Sequence, residues 1–112
     1  MHPRRRNGIV PQLVLLKIKM DSCIQQYLAD METLSQEAET IVSSAEDTPI
    51  HSSTKEAFLS QIDPVVERMK PLNEYHSQFP DDPRWAHCAE AFQLLNFHMQ
   101  ALMEHNKRVV QI

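Results

Sequence analysis

The sequence predicts an all-α protein, an antiparallel up-down-up bundle of three helices, and three observations carry that prediction. Apolar residues recur at alternating intervals of three and four along three long segments, which is the period of a helix with one face in a core. Acidic, proline-rich or cap-forming stretches separate the segments. Finally, the 112 residues contain one glycine, Gly8. So few glycines disfavour tight hairpins, phosphate-cradling loops, dinucleotide fingerprints and nucleophile elbows, all of which need residues free to take positive φ. At this length the chain has room for one modest core.

The first helix is expected over 21–45. Ile24, Tyr27, Met31, Leu34, Ala38, Ile41 and Ala45 keep the 3-4 spacing for three heptads, and Cys23, Leu28 and Val42 widen the stripe. Glu46, Asp47, Thr48 and Pro49 end it. A second helix is expected over 54–78, opened by a capping box formed by Ser53 and Glu56. Its seam is Phe58, Ile62, Val65, Met69, Leu72, His76 and Phe79, and it passes Pro64 and Pro71 without losing register. Both prolines fall on the solvent side, so the reading is a single helix bowed at two prolines. A competing reading lets Asp63 and Pro64 start a new helix.

The third helix is expected over 83–110, opened by an aspartate cap and Pro83 within DDPRW. It carries two stripes. Cys88, Phe92, Leu95, Met99, Leu102, Asn106 and Val109 would face the other helices. Leu94, His98, Ala101, His105, Arg108 and Ile112, flanked by Phe97, form a mixed second stripe that asks for another neighbour. These seven residues are the expected partner-binding surface, and the favoured reading is a homo-oligomer, a dimeric helical bundle.

Residues 1–20 form a basic, partly apolar leader, either flexible, packed on the bundle or placed across a dimer. Arg4, Arg5, Arg6, Lys17 and Lys19 give it +5 with no acid. The remaining six basic and fifteen acidic residues leave 21–112 at −9. An acidic body repels phosphates, so only Arg4–Arg6 would contribute to nucleic-acid binding. The leader outlines a secretory signal or organelle presequence, but its apolar run is short, holds Pro11 and closes on Lys17 and Lys19. Within it, LKIKM at 16–20 alternates like a strand that would pair with its copy in a dimer. No apolar run approaches the roughly 20 residues of a membrane span. The expected setting is the cytoplasm, without a membrane partner.

Chemistry is sparse. An up-down-up path would gather Cys23, His76, His87 and Cys88 at one end, the residue types of a zinc site. Adjacent His87 and Cys88 point about 100° apart, however, and no C-x-x-C or helical ligand pair occurs. The plainer reading is two small thiols and packed histidines. No cofactor and no enzymatic activity are expected. The functional expectation is a non-catalytic protein–protein interaction module, an adaptor, regulator or small chaperone, that binds a partner helix or itself. Its alternative is a metal- or redox-sensing regulator built on the cysteines and histidines.

Overall fold

The computed structural model describes the backbone from residue 2 to 111 and the side chains of residues 12 and 14–109. The described residues form helices α1 (His2–Ala45), α2 (Ser52–Ser60), α3 (Ile62–Gln78) and α4 (Arg84–Gln111), with no strand among them. α1 is the common rod of the bundle. α4 packs along it over the greatest length, α3 over a shorter stretch, and α3 and α4 barely meet each other. The contacts run in a consistent order. Arg68 pairs with Asp30, and Gln61 donates to Glu37 at 3.0 Å, so numbers fall along α3 as they rise along α1. Arg84 pairs with Asp21 at 2.7 Å, while His105 meets Thr48 just past the far end of α1.

The core follows the seam expected of 21–45. Ile24, Tyr27, Met31, Leu34 and Ala38 are buried, joined by Phe58, Val65 and Leu72 from α2 and α3, and by Leu95 and Leu102 from α4. Fully burying a side chain such as Phe58 contributes about 2–3 kcal/mol relative to leaving it exposed.

Two expectations about element boundaries are corrected. α1 does not begin at 21: the helix runs from His2, and the strand-like reading of LKIKM gives way to it. The reason is visible at Met20, which is fully buried, and at Leu16, which is half-buried. They extend the stripe of Ile24 and Tyr27 backwards by one and two turns, so the core pulls the leader into helix.

The expected helix 54–78 is divided. α2 and α3 flank Gln61, which itself keeps right-handed helical angles (φ −74°, ψ −16°). Pro64 stands in the first turn of α3 and has no N–H to give the carbonyl of Ser60, so the ladder lapses there. The seam nevertheless continues across the lapse, with Phe58 and Val65 buried and Ile62 half-buried between them. Pro71, by contrast, lies inside α3 without ending it. The capping box is also corrected: α2 starts one residue before Ser53, with His51 at the cap position and no side-chain bond to the helix.

α1 ends at Glu46, whose φ of +49° is in the left-handed region, with its amide reaching the Val42 carbonyl at 3.3 Å. At the start of α4, Asp82 caps as the DDPRW reading expects. Its Oδ1 accepts the Arg84 amide at 2.9 Å.

Candidate interaction face

The functional surface expected from the sequence lies on α4. Leu94 and Phe97 project from it, 51% and 64% exposed, with the rings of Phe97 and His98 edge to face at 5.5 Å. His98 and Ala101 are half-buried beside them, and Arg108 is exposed. Ile112 lies outside the described residues.

His105 does not belong to this face and is a correction. It is 5% exposed, with Nε2 at 2.9 Å from the Thr48 carbonyl. A carbonyl only accepts, so Nε2 carries the proton in this bond. Next to it Asn106 grips the same connection twice. The Ile50 amide donates to Asn106 Oδ1 at 2.7 Å, and Asn106 Nδ2 donates to the Ile50 carbonyl at 3.1 Å. The neighbour that His105 asked for is therefore the turn between α1 and α2, strapped over the end of α4.

The other wall of the face comes from α1. A groove of about 470 Å³ runs between the two helices, with Leu28, Met31, Ala91 and Leu94 supplying apolar surface. Glu32, Glu39 and Glu90 give it acidic character, with His87 and His98 on the α4 side. Ser35 also lines it, 4% exposed, and its Oγ has no partner among the described residues. The sequence reading missed this wall. The signal was available: Leu28, Glu32, Ser35 and Glu39 keep 4-3-4 spacing on the flank of the core stripe, the same count used to find the seam itself.

Phe92 is a second correction. Its stripe was expected to face the other helices, yet it is 42% exposed. Because α3 leans on α1 and barely meets α4, Phe92 borders a gap of about 290 Å³ between α3 and α4, shared with Tyr27, Leu72 and Trp85. Trp85 closes one end of that gap by donating its indole N–H to the Phe79 carbonyl at 2.7 Å, with its ring edge-on to His76 at 5.2 Å.

The cysteine–histidine set does not assemble. Among the described residues no three His, Cys, Asp or Glu side chains are placed to hold a metal ion. His76 is engaged with Trp85, and His87 is exposed, 4.0 Å from Glu90. Cys23 and Cys88 are half-buried free thiols, and burial pushes both above the ordinary thiol value. A raised value leaves less thiolate, the form that attacks or ligates. Among the described residues Cys23, His76, His87 and Cys88 thus form no group placed to hold a metal ion.

The strongest electrostatic cluster is structural. Arg84 bridges Asp82 at 2.6 Å and Asp21 at 2.7 Å, tying the start of α4 to α1. Hydrogen bonds from Arg84, first from its side chain and then from its amide, hold the Asp82 carboxyl down to about 2. No helix among the described residues is long and apolar enough to cross a membrane. Comparison with known protein families, curated proteins and solved structures finds no match to the chain.

Proposed function

We propose that this protein is a non-catalytic helical interaction module, an adaptor, regulator or small chaperone, that binds a partner helix or a second copy of itself along α4. The observation that carries the reading is the exposure of Leu94, on the rim of a groove with apolar floor and acidic walls, with Phe97 exposed next to it on α4. An amphipathic helix lying in such a groove would use its apolar face for affinity and basic residues for orientation. The up-down-up arrangement of α1, the α2–α3 pair and α4 suits this role, since the order of the Asp30–Arg68, Glu37–Gln61 and Asp21–Arg84 contacts favours it. A bundle of three such rods leaves one side of the α1–α4 pair open for a fourth.

Within the seam Leu94, Phe97 and Ala101 supply apolar contact, and His98 and Arg108 set polarity and register. A central, desolvated aromatic contributes about 2 kcal/mol to such an interface. Phe97→Asp is therefore expected to weaken assembly roughly 30-fold, read by sedimentation equilibrium, with helicity by circular dichroism unchanged. Assembly at wild-type strength in that variant would overturn the reading.

A further inference from the structure

We infer that the occupant of the α1–α4 groove is the leader of a second copy of this chain, exchanged reciprocally across a two-fold axis. The inference deepens the interaction reading above and rests on it. It begins with the overhang of α1. α4 starts where Arg84 meets Asp21, so residues 2–20 of α1 run beyond the α4 contact. Past Met20 and Leu16 this stretch carries Val14, Leu15 and Ile18, 49%, 54% and 54% exposed. These three side chains leave about half of their surface uncovered in their own chain.

Charge says what would cover it. The leader is +5 with no acidic residue, whereas the groove is walled by Glu32, Glu39 and Glu90. A basic, apolar helix and an acidic, apolar groove thus occur in one molecule, and opposite fields of this kind steer and orient association. The buried, unpartnered Ser35 hydroxyl in the groove leaves an acceptor and donor for a group from outside.

Helical geometry makes the match reciprocal. Val14 and Ile18 stand two heptads before Leu28 and Glu32, so they lie on the same side of α1 within about 40°. That face of the helix is therefore apolar in its first part, with Lys17 on its flank, and acidic in its second. Two such helices laid antiparallel satisfy each other twice: setting residue 16 of one copy against residue 32 of the other sets 32 against 16. Lengths agree as well, since residues 9–20 and residues 28–39 each span roughly 17 Å of helix. The result is an isologous, closed dimer in which each copy completes the other's groove.

The full-length chain is tested by sedimentation equilibrium and by zero-length carbodiimide coupling of a mixture of isotopically light and heavy chains. The expected species has twice the 13.0 kDa mass of one chain. Mixed light–heavy peptides are expected to join Lys17 of one copy to Glu32 of the other. Val14→Asp with Ile18→Asp should raise the dimer dissociation constant at least about 100-fold, as should Glu32→Lys with Glu39→Lys. A wild-type chain that stays monomeric, or a dimer whose coupled peptides omit the leader, overturns the inference without recourse to any variant. A dimer indifferent to the leader substitutions but dissociated by Phe97→Asp overturns the leader as occupant while the α4 reading stands. Indifference to both sets removes the two together.

Discussion

Asp82 couples its titration to the start of α4. Its carboxyl is 13% exposed and accepts from both the amide and the guanidinium of Arg84. Those bonds bring it from the ordinary 3.8 to about 2. A depressed carboxylate contributes stability that is complete above about pH 4 and declines as the pH falls through about 2. Asp82→Asn is expected to cost about 1 kcal/mol at neutral pH. It should also flatten the acid limb of the denaturation midpoint between pH 4 and 2. At Glu46 the backbone itself is the cost, because a residue with a Cβ sits at φ +49°. Glu46→Gly is expected to raise stability by about 0.5–1 kcal/mol in urea titration, since the helix C-terminus favours glycine there. Some of this scale was legible in the sequence: the aspartate cap and the inward position of Asn106 both follow from local pattern. His105 did not, because periodicity assigns a residue to a face and is silent about what lies across from it. What covers it is a turn 57 residues away in sequence.

At the scale of elements, the repeating seam located three helical segments, but it read α2 and α3 as one and breakers misplaced the limits. Gly8 and Pro11 argue locally against helix, yet α1 runs through both, and burial of Met20 with half-burial of Leu16 holds the turns that follow. Tertiary packing overrode propensity, as it does wherever one face is held by a core. The reverse happened at Gln61. There the apolar register is unbroken, but a missing amide at Pro64 interrupts the ladder. Periodicity reports side chains, and the defect is in the backbone. Pro64 is exposed, so Pro64→Ala restores the donor without disturbing packing. The expected outcome is a gain of about 1–3 kcal/mol and a single helix across 60–64, seen as slow exchange of the new amide at position 64.

For the whole molecule the organising fact is that α1 touches α3 and α4 while those two barely touch each other. Their cohesion is routed through one rod, apart from the Trp85 closure and the strap held by Asn106. α3 buries Val65 and Leu72 and has less contact with α1 than α4 has. Native-state hydrogen exchange is therefore expected to show α3 opening at lower free energy than the centre of α1. Equal protection of both would mean that α3 and α4 support each other more than their geometry allows. The acidic wall of the candidate groove also belongs to this scale: its two sides are contributed by stretches 28–39 and 87–98, so α4 read alone gives half a site.

The strap has a consequence for the order of assembly. Residues 48–50 are made before α2 and α3, but their partners, His105 and Asn106, follow 56 or 57 residues later. During translation the bend after the first rod stays unfastened while more than fifty further residues emerge. The stretch of α4 that holds His105 and Asn106 then acts as the clasp, and this early corner sets only once α4 has emerged.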